Sequence, residues 1–219
     1  RFQNKVVVIT GTGGGQGREA AIRFASEGAI VAGCDVNVAG NAETAKLVQA
    51  AGGKMIAHSP VDLTVESEVV NWIDQVVAQA GKIDVLYANA GATKFSPVAE
   101  TSLEEWQFVM KHELDIVFLP VKHAWKHLIA SKGNIILVGS TAGLTGSVTN
   151  TRVAHSATKG GVISMMKSIA VEFARAHLKP GGADLIGMFR GRFLAAEIKT
   201  TTGRQSPEQR QFQQLVERR

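Results

Sequence analysis

Lys5-Val6-Val7-Val8-Ile9-Thr10 runs without a break into Gly11-Thr12-Gly13-Gly14-Gly15-Gln16-Gly17. Five of the first six residues are β-branched and four are apolar in an unbroken run, the pattern of a strand buried on both faces. The glycines that follow make a turn in which the backbone bends sharply and can approach another molecule closely. Beyond them, from about Gln16 to Glu27, the spacing of apolar residues is helical. Strand, glycine turn and helix form one unit, and the rest of the chain repeats its rhythm.

Ile30 to Asp35 reads as a second strand and Ala39 to Ala51 as a second helix, ended by Gly52-Gly53. Lys54 to Ser59 makes a third strand, and Val65 to Ala80 a helix stopped by Gly81. Ile83 to Asn89 is a fourth strand, Leu103 to Ser131 a long helical stretch, and Asn134 to Val138 a fifth strand. A further helix runs from about Arg152 to Arg175. Alternating strands and helices, with near-continuous apolar strands, predict a parallel sheet covered by helices on both faces. The fold class is α/β, a single Rossmann-like doubly wound sheet.

The position of the glycines makes them chemically specific. A diphosphate needs backbone free of Cβ atoms and, behind it, the N–H groups and positive dipole end of a helix. Asp35 closes the second strand 18 residues after Gly17, where a carboxylate can accept hydrogen bonds from adenosine ribose hydroxyls. That carboxylate would repel a ribose 2′-phosphate, and Val36-Asn37 supplies no cation to compensate. The expected cofactor is NAD rather than NADP.

Composition narrows the class further. The 219 residues are 45% hydrophobic and 20% charged, enough for one domain with a substantial core. Cys34 is the single cysteine, so no internal disulfide forms and a reducing compartment is expected. No apolar run reaches the roughly 18–20 residues that cross a bilayer. The polar start Arg1-Phe2-Gln3-Asn4-Lys5 does not read as a secretory signal. A cytoplasmic protein with no membrane partner is expected. The net charge of +5 is concentrated at one end. Residues 1–175 carry 16 Lys and Arg against 15 Asp and Glu, and residues 176–219 carry 8 against 4. The basic residues of the tail are scattered rather than blocked, so no nucleic-acid partner is expected.

The spacing of Thr10, Gly11, Gly15 and Gly17 resembles that of the short-chain dehydrogenase/reductase family, and four further segments fit it in order. Val61-Asp62-Leu63 is similar to the family's adenine-contacting acid. Asn89-Ala90-Gly91 is similar to the stretch that lines its cofactor cleft. Ser140, after Val138-Gly139, stands where the family has its catalytic serine, and Lys159 where it has its catalytic lysine. The resemblance implies cofactor contacts at Gly11, Gly15, Gln16, Gly17, Asp35, Asp62, Leu63, Asn89, Ala90, Gly91 and Lys159. It also implies hydride transfer between a nicotinamide and a small-molecule alcohol or carbonyl substrate, by a homodimer or homotetramer. In that family a tyrosine is the acid/base, a lysine four residues on lowers its pKa, and an asparagine supports a relay water.

This chain departs from that pattern at two places. Four residues before Lys159 stands His155, and the matching position for the asparagine is Glu113. Tyr87, the only tyrosine, belongs to the fourth strand and is expected at its cofactor edge. Two readings follow. In one, His155 takes the tyrosine's role, sharing a helix face with Lys159. Imidazole is a competent acid/base near neutral pH. Lys159 and an oxidised nicotinamide disfavour imidazolium, so a neutral His155 suits alcohol oxidation as a base. Glu113 then offsets positive charge or holds the relay water. In the other, His155 is a surface or packing residue and the chain is a catalytically impaired dinucleotide-binding or interaction protein.

The remaining histidines show no metal-ligand spacing: His123 and His127 lie four apart without a third ligand, and no metal is expected. After Arg175 the resemblance fails. Residues 1–175 read as the NAD-binding core with its catalytic segment, and 176–219 as a divergent segment of the same domain. There Ala183 to Phe189 is one poor strand, Gln209 to Arg218 a helix behind Ser206-Pro207, and no seventh strand is evident.

Overall fold

The structure, a computed structural model, describes residues 1–149, 151–177, 184–189 and 192–197. Its elements in order are β1 (Val6–Thr10), α1 (Gly15–Ser26), β2 (Ile30–Cys34), α2 (Val38–Ala50), β3 (Lys54–His58), α3 (Glu66–Ala80), β4 (Val85–Ala88) and α4 (Leu103–Met110). A π-helical turn, Lys111–Asp115, joins α4 to α5 (Ile116–Ser131). Then come β5 (Asn134–Val138), a 3₁₀ turn (Thr141–Gly143), α6 (Val153–His177), β6 (Asp184–Phe189) and β7 (Arg192–Glu197).

The strands form one sheet in the order β3-β2-β1-β4-β5-β6-β7. Every neighbouring pair is parallel except β6 and β7. A seventh strand therefore exists, against the sequence expectation, and it runs antiparallel. Arg192 to Glu197 carries a short apolar run, Phe193 to Ala196, between two charged residues. A run that short reads equally as part of a helix, so the sequence alone does not announce a strand. The helix expected over Gln209 to Arg218 lies outside the described residues.

Alternation along the strands divides the core in two. Val6 and Val8 of β1, Leu86 of β4, and Ile135 and Leu137 of β5 pack with Trp72, Leu128 and Phe173 from α3, α5 and α6. Val7 and Ile9 face the other way, with Tyr87, Ile136, and Ala21 and Ala25 of α1. Gly81 takes the left-handed conformation that closes α3, as anticipated, and the Ser102 hydroxyl caps the start of α4 by accepting from Glu105 N. At the base of the sheet, buried Asp84 accepts from Lys5 Nζ at 2.8 Å and Val6 N at 2.9 Å, and pairs with Lys82 at 2.9 Å. Among the described residues no helix is long and apolar enough to cross a membrane.

The strand order reverses direction between β1 and β4. In open parallel sheets that switch point, at the carboxyl ends of the strands, leaves a crevice where no crossover connection covers the edge. Thr10-Gly11, Asp35, Asn89 and Ser140 all lie at that edge.

Candidate active site

Thr10 fastens the two strands that flank the crevice. Its buried Oγ1 accepts from Asn89 N and Ala90 N, each at 2.9 Å, while Asn89 Nδ2 donates to the Thr10 carbonyl at 3.0 Å. Gly11 sits above this junction with φ +75°, and a Cβ there would meet the Ala90 Cα at 2.9 Å. A Cβ on Gly17 would run into the carbonyl oxygen of Gly11. These two glycines are required by the protein's own packing. Gly14 and Gly15 differ: a Cβ on either would meet nothing within 4 Å. They face outward where α1 begins, with Gln16 exposed beside them. A bare backbone before the positive end of a helix fits an anionic diphosphate.

Around this loop the second shell of contacts is built. Asp35 Oδ2 accepts from Gly13 N and Oδ1 from Asn37 N, both at 2.7 Å. Arg18 donates to the carbonyls of Gly13 at 2.9 Å and Gly40 at 3.2 Å, fixing the loop against α2. Asp62 is half-buried and accepts from Thr64 N at 2.8 Å. Burial works against its charge, but the Thr64 hydrogen bonds and the nearby Lys111 and His112 outweigh it and hold the carboxyl below its ordinary value. Leu63 turns its side chain into the core, which leaves its backbone as the part that can reach the cleft. Ala90 is half-buried and Gly91 exposed.

The second group of candidates converges from the other side. Glu113 lies within the π-helical turn and is buried, 4% exposed. Such a turn carries one residue more than an α-helical one and redirects side chains, and it recurs at functional sites. Both oxygens of Glu113 lie 2.8 Å from His155 Nδ1. Thr158 Oγ1 reaches Glu113 Oε2 at 2.7 Å, and Lys159 Nζ stands 4.0 Å from Oε1. Lys159 Nζ donates to the Val138 carbonyl at 3.2 Å. Burial pushes the Lys159 ammonium below its ordinary value, and the charge of Glu113 partly opposes that. On another side of the imidazole, the Phe95 ring meets it edge to face, centroids 5.4 Å apart.

A carboxylate can only accept, so Nδ1 of a neutral His155 carries the proton and Nε2 is left as the acceptor. Ser140 caps the 3₁₀ turn, its Oγ accepting from Ala142 N at 3.1 Å, so its own proton is available to another oxygen. That turn packs on α6: a Cβ on Gly143 would meet Gly160 N at 2.6 Å. Glu113, from the π-helical turn, thus shares one cluster with His155 and Lys159 of α6, and the Ser140 turn lies against it.

Tyr87 does not belong to this edge. The structure buries it in the second core beneath α1, 3% exposed, because odd-numbered β4 positions face that layer. Phe95 and Thr158 are contacts the sequence reading did not single out, and Thr10 was named only for its place in the glycine motif. For Thr158 the three-residue spacing from His155 was a usable signal, since i and i+3 share a helix face. Nothing local marks Phe95.

The short chain dehydrogenase family profile matches residues 5–182. The chain is 36% identical over 173 residues to meso-2,3-butanediol dehydrogenase of Serratia marcescens, covering 78% of this chain and 66% of that protein. It is 32% identical over 213 residues to cis-4-hydroxycyclohexanecarboxylate dehydrogenase of Sinomonas cyclohexanicum, covering 94% and 83%. The solved structure of NAD⁺-bound xylitol dehydrogenase superposes with a TM-score of 0.77 at 27% identity, covering 85% of this chain and 71% of that one. The chain belongs to the short-chain dehydrogenase/reductase family. It spans about two thirds of the length of the butanediol dehydrogenase it matches.

Proposed function

We propose that this protein is an NAD-dependent oxidoreductase acting on a secondary alcohol or its ketone, with His155 as the acid/base. The observation that carries the reading is the pair of 2.8 Å contacts from the Glu113 carboxylate to His155 Nδ1. A histidine present only for packing has no need of a buried carboxylate, whose desolvation costs several kcal/mol unless it is compensated. Paired in this way, the imidazole has one ring nitrogen fixed as donor to Glu113 and the other turned into service as a base.

In the oxidising direction Nε2 of His155 takes the hydroxyl proton of the alcohol. Glu113 lies beside the imidazolium that forms and balances its charge. Ser140 donates to the substrate oxygen and so fixes its position relative to the imidazole. Bound NAD would supply the acceptor for the hydride that leaves the carbinol carbon. Gly11, Gly15, Gln16 and Gly17 would hold its diphosphate, and Asp35 its adenosine ribose. Asp62 and the Leu63 backbone would flank the adenine, with Asn89, Ala90 and Gly91 forming the floor. Lys159, which donates to the Val138 carbonyl, would reach the nicotinamide ribose. The preference for NAD over NADP is supported by Asp35, whose charge would oppose a 2′-phosphate. The relatives named above are dehydrogenases by name, and one is a NAD⁺-bound structure.

Assembly as a homodimer or homotetramer is supported by two half-exposed apolar side chains, Phe118 on α5 and Val171 on α6. Sedimentation velocity tests it. The function is tested by following NADH with a panel of secondary alcohols and ketones from neutral to alkaline pH, beside His155→Ala. Turnover that disappears in the variant, with NAD binding intact by calorimetry, is the expected result. NAD binding with no turnover in either protein would instead identify a binding module.

A further inference from the structure

The carboxylate that faces His155 is itself held, and the holder is Thr158. This side chain is fully buried. Its hydroxyl lies 2.7 Å from Glu113 Oε2 and 2.9 Å from the His155 carbonyl oxygen. A hydroxyl has one proton to give. The ionised acceptor is also the nearer one, and charge-assisted hydrogen bonds are roughly twice as strong as neutral ones. The proton therefore goes to Glu113.

Glu113 then receives two donors from a single turn of α6, the Nδ1–H of His155 and the O–H of Thr158. The arrangement fixes what one contact leaves free. Glutamate reaches its partners through three rotatable bonds, and the imidazole constrains the carboxyl along one direction only. A second donor, displaced by three residues along the helix, sets the plane of the carboxyl as well. The ionisable groups that the described contacts place against Glu113 are His155 and Lys159, both from α6. From the loop after β4 the imidazole is met by the uncharged Phe95.

We propose that Thr158 is a positioning residue, whose hydroxyl locks the Glu113 carboxyl in the orientation that keeps His155 in its Nδ1–H form. The proposal rests on His155 being the acid/base, and its test separates the two. The rival account is a threonine that merely back-bonds to a carbonyl within its own helix, a common habit of buried helical threonines. Under that account loss of the hydroxyl changes stability and nothing else.

The test uses the full chain and Thr158→Val, Thr158→Ala and Thr158→Ser. The ¹⁵N shifts of the His155 ring are read at alkaline pH, where an imidazole is neutral, together with kcat and KM. Wild type and Thr158→Ser are expected to show a single tautomer protonated at Nδ1. Thr158→Val is expected to show a mixture of tautomers and a kcat about 10- to 100-fold lower, the cost of a slightly misplaced group, with KM little changed. Thr158→Ala serves in its place if the valine variant does not fold. A tautomer signal unchanged in both hydroxyl-free variants overturns the proposal, whatever their stability. A tautomer shift in a protein that turns over no alcohol or ketone supports the positioning role and counts against the oxidoreductase reading alone.

Discussion

The carboxyl group of Glu113 meets the imidazole of His155 with both oxygens at the same 2.8 Å from Nδ1. An asparagine at that position would offer one acceptor and one donor and no charge. Glutamate and histidine therefore make a coherent pair here: each supplies what the other needs. His155 gains a fixed tautomer, and Glu113 gains a donor that offsets its burial.

Glu113→Gln keeps the shape and removes the charge. We expect kcat for alcohol oxidation to fall by about 10²- to 10⁴-fold, the range typical of a lost acid/base function. NAD affinity, measured by calorimetry, should be nearly unchanged, because Glu113 faces His155 and not the glycine loop. An unaltered kcat would remove Glu113 from the chemistry.

Two glycine substitutions should separate folding from binding. Gly17→Ala drives a Cβ into the Gly11 carbonyl, and a forced fit of that kind costs about 1–3 kcal/mol; a lowered Tm and weakened NAD binding are expected. Gly14→Ala meets nothing within the protein, and its φ of 174° is extended backbone that alanine adopts freely. Its Tm should stay near wild type while NAD affinity drops, because the added methyl lies where the diphosphate would sit. Equal affinities for wild type and Gly14→Ala would displace the cofactor from the loop.

Asp84 binds the N-terminal ends of β1 and β4 together. Burial opposes its ionisation, but Lys5, the Val6 amide and Lys82 overcome that and lower its pKa from the ordinary 3.8. A group with a depressed folded pKa stabilises the protein above its unfolded value and loses that contribution as pH falls through the folded one. Asp84→Asn should cost about 1–3 kcal/mol at neutral pH. The difference from wild type should shrink below pH 3.8. Urea unfolding across the acid range checks both statements.

Lys159 has the opposite linkage. Its folded pKa lies below the ordinary 10.5 because burial disfavours the ammonium. Through the window below 10.5 the unfolded chain therefore binds more protons than the folded one, and stability rises with pH. Lys159→Met should abolish that rise. Glu113→Gln should accentuate it, since the carboxylate is what partly restores the lysine's charge. Urea midpoints from neutral to alkaline pH would expose a failure of either.

The sheet through β5 was legible because its strands are buried on both faces and its turns carry glycines, so local sequence and tertiary environment agree. The glycine loop and Asp35 were legible for the same reason: strand, turn and acid are linked by short spacings. What escaped the sequence depends on encounters between distant segments. Thr10 meets Asn89, and Thr158 meets Glu113, only once the sheet is assembled. The π-helical turn has no compositional mark, and without it Leu103 to Ser131 reads as one continuous helix. The direction of Tyr87 was misread because strand residues alternate faces, and only register against β1, with Ile9 opposite, fixes which face it takes.

That buried tyrosine equips the protein with an optical gauge of its own. It is the one phenol in the sequence, it sits on the side of the sheet away from Glu113 and His155, and burial raises its pKa. Its hydroxyl has no hydrogen-bond partner among the described residues. The phenolate absorbance that develops in alkali reports a single event, the exposure of β4, with no second chromophore of its kind to subtract. Followed in time after a pH jump, it times the opening of the sheet's centre, and the same trace with and without NAD tests whether a bound dinucleotide slows that opening.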